Sequence, residues 1–131
     1  MNLRPMEMSD ADFMLEMKND PQTRKFAIVA NEEIKKEDHY SWLIININDF
    51  RVIEKYTGER LGAIRVKEGE VSIWVAKEFR GQMIATKVLA RHEFFDTWCK
   101  IVDGNVASLR SFVKAGYLPT GHIDNYYILR R

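Results

Sequence analysis

The stretch VSIWVAKEFRGQMIATKVL, residues 71–89, changes period in its middle, and the residues at the change are of types that can hold an anion. Up to Ala76 the residues alternate and are β-branched or aromatic. After the polar knot Lys77-Glu78-Phe79-Arg80-Gly81 the apolar spacing becomes helical. A strand that runs into a tight turn and a helix start presents unpaired backbone N–H groups beside the positive end of a helix dipole. Such a junction can take a phosphate or pyrophosphate. Gly81 permits tight backbone geometry, Arg80 adds fixed positive charge, and the small Ala85 allows close packing one turn in. From these residues alone the junction is either an anion site or a plain structural turn, since every α/β protein has strand-loop-helix junctions. The single thiol, Cys99, has no His-Asp pattern around it, and Trp98-Cys99-Lys100 enters a strand, so it reads as a core cysteine and not as a nucleophile. His92 reads as structural, and His122 belongs to the tail.

The elements that position these residues follow from periodicity. Leu3 and Met6 flank Pro5 in a short first strand, and Ser9 or Asp10 then caps a helix with Phe13, Met14 and Met17 on its apolar face, ended by Asn19-Asp20-Pro21. Ile34, His39, Trp42, Leu43, Ile45 and Ile47 predict a helix within residues 31–48 that frays into a turn. Residues 50–56, 60–66 and 70–76 alternate with period two and are separated by turns at Thr57-Gly58 and Glu68-Gly69, which predicts an antiparallel meander. A helix over residues 82–98 follows, with Ile84, Val88 and Phe95 near one stripe, then a strand near residues 100–102. Asn105 opens a further helix whose apolar face is Val106, Leu109, Phe112 and Val113 and which Gly116 stops, and residues 117–129 have strand composition. The order β-α-α-β-β-β-α-β-α-β is that of an α/β fold, a mostly antiparallel mixed sheet with helices on both faces. The strands before and after the 82–98 helix would run parallel.

Composition limits the partners. The 131 residues suit one domain, residues 1–131, without internal repeat or linker. With 20 Lys+Arg against 19 Asp+Glu, no global field favours nucleic acid or an anionic membrane, so any bound anion is held locally. One cysteine excludes an intrachain disulfide and the usual multi-cysteine zinc sites, so no metal is expected. The opening MNLRPMEMSDADF lacks the apolar stretch of a signal peptide or membrane span. The expectation is a soluble, cytoplasmic protein, with a homodimer open.

Arg80-Gly81-Gln82-Met83-Ile84-Ala85 resembles the fingerprint of the GNAT acyltransferases: Gln or Arg, two residues, Gly, one residue, then Gly or Ala after the fourth strand. Met83 departs from it, standing where the family carries glycine. NVASLRSFVKAGY, beginning at Asn105 and ending at Tyr117, is similar to the family's second motif, and the resemblance extends to the opening LRPMEMSDADF. It implies a GNAT-like fold with acetyl-CoA as co-substrate. Ile73, Trp74 and Val75 would offer backbone groups to the pantetheine arm where the fourth and fifth strands splay apart. The N–H groups of Gly81, Gln82, Met83, Ile84 and Ala85, beside Arg80, would cradle the pyrophosphate, and Asn105 would reach the pantetheine. Trp74 equally suits sheet core, and Asn105 an ordinary helix cap. Methionine at 83 keeps its N–H, so retained binding is expected.

Acetyl transfer to an ammonium acceptor needs a base, and the departing thiolate benefits from a donor. Glu70 is the first candidate base, with a water relay through Ser72 second; the alternative for Glu70 is a solvated turn residue. The family's tyrosine position is held by Phe112, which leaves Tyr117, Tyr126, Tyr127 or a water held by Ser108 or Ser111 as donor. Asn19-Asp20-Pro21 and His39-Tyr40-Ser41-Trp42 resemble the GNAT branch that acetylates nucleotide-linked amino sugars in pseudaminic-acid type pathways. That likeness implies His39 and Trp42 on the acceptor and Arg24 at a phosphate; the alternative puts Trp42 in the core and His39 on a helix. Three functions follow: an N-acetyltransferase acting on a small amine, first of all an amino sugar; a protein or peptide N-acetyltransferase; and a non-catalytic acyl-CoA-binding module.

Overall fold

Glu68 and Gly69 both take positive φ, 52° and 80°, as a two-residue hairpin turn requires, and they join the two strands on which the site is built. The computed structural model describes residues 1–27 and 32–131. In chain order the elements are β1 (Asn2–Pro5), α1 (Ala11–Asn19), α2 (Pro21–Lys25), α3 (Lys36–Asn46), β2 (Phe50–Glu54), β3 (Arg60–Lys67), β4 (Glu70–Val75), α4 (Ile84–Leu89), β5 (Trp98–Val102), α5 (Val106–Lys114), β6 (Leu118–Ile123) and β7 (Tyr126–Arg130). The strands form one seven-stranded sheet in the order β1-β2-β3-β4-β5-β7-β6. All pairs are antiparallel except β4 with β5, the parallel pair expected around the helix between them.

Alternation along β4 divides the interior in two. Val71, Ile73 and Val75 pack with Ile84, Val88, Phe112 and Tyr117 under α4 and α5. Trp74 turns to the other face, where Met14, Met17, Leu43 and Phe50 gather under α1 and α3. Strand period thus sends neighbouring residues of one strand to two separate cores.

Four local expectations change. The helix expected over 82–98 stops at Leu89, followed by a 3₁₀ turn at His92–Phe94, and Phe95 is 64% exposed. The Arg131 guanidinium donates to the carbonyls of Leu89, Ala90 and Arg91 at 2.8–3.0 Å, satisfying groups that a continuing helix would have used. After Asn19 a short α2 appears, because Pro21 suits a first helical position and the Asp20 carboxylate accepts from the Gln22 N–H. Asp10 lies at the start of α1 yet gives it no side-chain cap; its buried carboxylate takes both Arg4 nitrogens at 2.8 and 2.9 Å and the Glu7 N–H. The tail makes two strands, with β7 inserted between β5 and β6. In the 31–48 segment the helix is α3, followed by a 3₁₀ turn at Ile47–Asp49; Asn31 lies outside the described residues.

Candidate functional site

The two parallel strands stay together for one step. Glu70 is in register with Trp98, whose N–H donates to the Gly69 carbonyl at 2.9 Å, and beyond that pair β4 and β5 part. A groove of about 1330 Å³ opens between them and continues under α5, across the loop before α4, and to α1 and α3. The Ala76 N–H donates to Leu61 on β3, so backbone alternation turns Trp74 and Ser72 toward β3 and leaves Ile73 and Val75 turned into the splay. The expectation for Trp74 is corrected accordingly. Its carbonyl is pressed on β3 so closely that a side chain at Gly62 would collide with it, although Trp74 still borders the groove.

The loop before α4 is built on left-handed residues. Gly81 has φ 80°, and Met83, which precedes the first turn of α4, has φ 60° and ψ 25°. Glycine adopts that conformation freely; methionine does so at a cost of roughly 1–2 kcal/mol. Among the described residues the N–H groups of Gly81, Gln82, Met83, Ile84 and Ala85 donate to no backbone carbonyl. Gly81, Met83, Ile84 and Ala85 border the groove, whereas Gln82 does not. Arg80 also borders it, but its guanidinium is engaged by Asp20 at 3.1 Å and Thr23 at 3.4 Å, which takes up part of the charge expected to be free. Asn105 caps α5, its side-chain oxygen accepting from the Ser108 N–H at 3.4 Å, while bordering the groove.

Glu70 and Ser72 line the groove, with the Lys100 ammonium 3.9 Å from the Glu70 carboxylate. Tyr117 does not: it is fully buried, edge-on to Phe112, and its hydroxyl shares a 2.6 Å hydrogen bond with Thr97. Burial pushes its hydroxyl pKa up. The aromatic after Gly116 is therefore a core anchor and not a proton donor, a correction of the expectation from sequence. Cys99 is buried and its thiol is pushed up to about 12 by burial, so it stays protonated, in keeping with a core cysteine.

At the far end of the groove α1, α3 and β3 supply the side chains. Trp42 packs edge-on against Phe50, which stacks on Trp74. His39 borders the groove but is 1% exposed, and its Nε2–H donates to the Ala11 carbonyl at 3.1 Å, tying α3 to α1. Burial, with Lys18 nearby, holds its pKa down and keeps the ring neutral. Arg24 is turned away, donating to the Asn19 carbonyl at 3.0 Å, and does not line the groove, so the structure does not support its expected place. Two other cations border this end of the groove. The Lys18 ammonium sits 3.7 Å above the Trp42 ring centre, and the Arg65 guanidinium lies 5.1 Å from the same ring. Burial, reinforced by Arg65, pushes Lys18 down to about 8. Sequence reasoning missed both residues, because a lysine on a helix and an arginine in an alternating strand carry no local signature. Among the described residues no group of three or more His, Cys, Asp or Glu is placed to hold a metal, and no helix is long and apolar enough to cross a membrane.

The sequence matches the family model described as an acetyltransferase (GNAT) domain over residues 1–117. No curated protein sequence matches it significantly. Solved structures share the fold over nearly the whole chain. A spermidine N-acetyltransferase from Vibrio cholerae in complex with CoA and spermine has TM-score 0.82 at 15% identity, covering 98% of this chain and 91% of its own. A ribosomal-protein-alanine N-acetyltransferase from Brucella melitensis has TM-score 0.77 at 21% identity, covering 98% of each chain. A domain from Methanocaldococcus jannaschii DSM 2661 has TM-score 0.79 at 20% identity, covering 98% and 95%.

Proposed function

We propose that this chain, which belongs to the GNAT acetyltransferase family and is therefore an acyltransferase with acetyl-CoA as co-substrate, acetylates the primary amine of a nucleotide-linked amino sugar by direct attack. The observation that carries the reading is the splay of β4 and β5 into a groove whose two ends differ in chemistry. At one end Ile73 and Val75 turn free backbone groups toward a pantetheine arm, a loop of unpaired N–H groups suits the pyrophosphate, and Asn105 stands beside them. At the other end Trp74 gives aromatic surface for a sugar or base beside Trp42, whose ring carries the Lys18 ammonium. Seven cationic side chains border the groove, Lys18, Arg65, Lys67, Arg80, Lys100, Arg110 and Lys114, against three acidic ones, Asp38, Glu68 and Glu70. That excess favours acceptors bearing phosphate and disfavours polyamines.

The chemistry asked of the chain is modest. As the amine nitrogen bonds to the thioester carbonyl, its proton passes to Glu70, directly or through a water at Ser72, and the C–S bond breaks to release CoA thiolate. Phe112 has no proton to give and Tyr117 is locked on Thr97, so the thiolate leaves as a good leaving group and takes its proton from water, for which Ser108 and Ser111 border the groove. The test is thiol release from acetyl-CoA with glucosamine, a UDP-linked amino sugar, spermidine and an N-terminal alanine peptide. The nucleotide-linked sugar should give the highest kcat/KM, and Glu70→Gln should lower it by ~10²–10⁴-fold with little change in acetyl-CoA affinity. A better polyamine or peptide would replace the acceptor assignment. Acetyl-CoA binding without thiol release from any amine would make the protein an acyl-CoA-binding module.

A further inference from the structure

We infer that Lys18 and Arg65 form an anion-binding subsite at the acceptor end of the groove, which seats a phosphoryl group of the acceptor over the Trp42 ring. The inference deepens the acceptor reading above and rests on it. Lys18 is two-sided in its surroundings: its ammonium lies over Trp42 at 3.7 Å, with Phe50 and Trp74 rings each 5.9 Å away, and among the described residues it forms no ion pair. The charged group that acts on it is another cation, Arg65, which shares the Trp42 ring. Two half-buried positive charges against aromatic rings, one without a counter-ion, are unfavourable unless something negative joins them. Cation–π attraction offsets only part of that cost.

Arg65 is held in place from behind. Its Nη2 donates to Asn46 and to the Asp49 carboxylate, each at 3.2 Å, while its Nε is buried without a partner. Both side chains border the groove. Neutral His39 beside Lys18 supplies no counter-charge, and Glu70, the acidic group on the neighbouring strand, has Lys100 for company. The chain therefore presents an ammonium without a counter-ion beside a guanidinium that Asp49 engages through one nitrogen, at the place where the acceptor enters. A phosphoryl oxygen there would take charge-assisted hydrogen bonds from both. Acetyl-CoA carries phosphates too, and the experiment separates the two sources.

Calorimetric titration of the protein with uridine and with uridine diphosphate reads the subsite without turnover. The diphosphate should bind at least ~10-fold tighter than the nucleoside, and Lys18→Met should cut that preference by ~10- to 100-fold, the loss of one hydrogen bond between charged groups. Lys18→Arg should restore most of it, and acetyl-CoA affinity should hold in both variants. Equal binding of nucleoside and diphosphate, or a preference that survives Lys18→Met, overturns the subsite. A parallel fall in acetyl-CoA affinity assigns the cations to the co-substrate's phosphates and overturns it as well. Were Lys18→Met to fail to fold, the wild type still decides: diphosphate should shield Lys18 from trinitrobenzenesulfonate labelling, and unchanged labelling refutes the contact. Diphosphate binding that depends on Lys18, without turnover of a UDP-linked amino sugar, keeps the subsite and removes the acceptor reading. Turnover of that sugar with an intact preference in Lys18→Met does the reverse.

Discussion

The two ends of the groove are built by different means. The end toward α4 and α5 uses backbone: Ile73 and Val75 facing the splay, and a loop held open by left-handed residues at Gly81 and Met83. The end toward α1 and α3 uses side chains, Lys18, Trp42 and Arg65, drawn from three elements and gathered around one aromatic cluster. Backbone recognition depends on chain geometry more than on residue type, and Met83 holds the left-handed conformation that glycine adopts freely. Side-chain recognition depends on each residue present. One end can therefore be blocked by adding bulk and charge, and the other is altered by taking atoms away.

The largest effect should come from blocking the backbone end. Ala85→Glu sets a carboxylate in the first turn of α4, bordering the groove beside the unpaired N–H groups. Acetyl-CoA affinity should fall by ~10²-fold or more, because placing like charges together costs several kcal/mol. Calorimetry with acetyl-CoA checks this, and unchanged affinity in a folded variant would move the co-substrate elsewhere. Taking atoms from the other end should divide the kinetics. Trp42→Ala should lower acceptor kcat/KM by roughly 10-fold, within the contribution of an aromatic contact, and leave acetyl-CoA affinity nearly unchanged. If both affinities fall together, the two ends are one packed unit and the contrast fails.

The same contrast explains what was legible in the sequence. The Arg80-Gly81-Gln82-Met83-Ile84-Ala85 turn and the Asn105 cap are local, so residue types in order announced them, and the meander and the parallel β4–β5 pair followed from period and connection length. Which backbone groups of β4 face the splay was not legible, since alternation gives two phases and only pairing with β3 selects one. The early end of α4 was hidden because its carbonyl partner, Arg131, lies 42 residues beyond Leu89. Tyr117 looked available until its hydroxyl was found on Thr97. Lys18 and Arg65 were invisible for the same reason: 47 positions separate 18 from 65, and only the packing of α1 and α3 on β3 brings them to one ring.

Lys18 also makes the side-chain end a weak point of the fold. A lysine ordinarily titrates near about 10.4, and burial beside Arg65 brings Lys18 to about 8. Between those values the unfolded chain keeps a proton that the native chain has lost, so this group's contribution to stability rises with pH across that window. At pH 7 the native state carries the charge at a penalty. Lys18→Met should therefore stabilise the protein at pH 7 by on the order of 1 kcal/mol, after allowing for lost cation–π attraction, and the gain should fade from pH 8 to pH 10. Urea midpoints of both proteins across that range measure it. A variant less stable at pH 7 would mean that the ammonium binds the aromatic cluster more strongly than burial penalises it, and that the acceptor end is settled without a ligand.

The backbone end stores strain of its own at Met83, where a non-glycine residue holds φ 60°. Met83→Gly relieves the left-handed penalty but enlarges the freedom of the unfolded chain, and the two partly cancel. A net stabilisation below about 1 kcal/mol is expected, read as a higher urea midpoint with unchanged slope. Since the methionine side chain is 51% exposed and the N–H groups stay where they are, acetyl-CoA affinity should move by less than about 3-fold, a change smaller than one net hydrogen bond. Much tighter binding would show that the thioether crowds the loop. Much weaker binding would show that this end, too, recognises its ligand through a side chain, and the contrast between the two ends would then rest on Ile73 and Val75 alone.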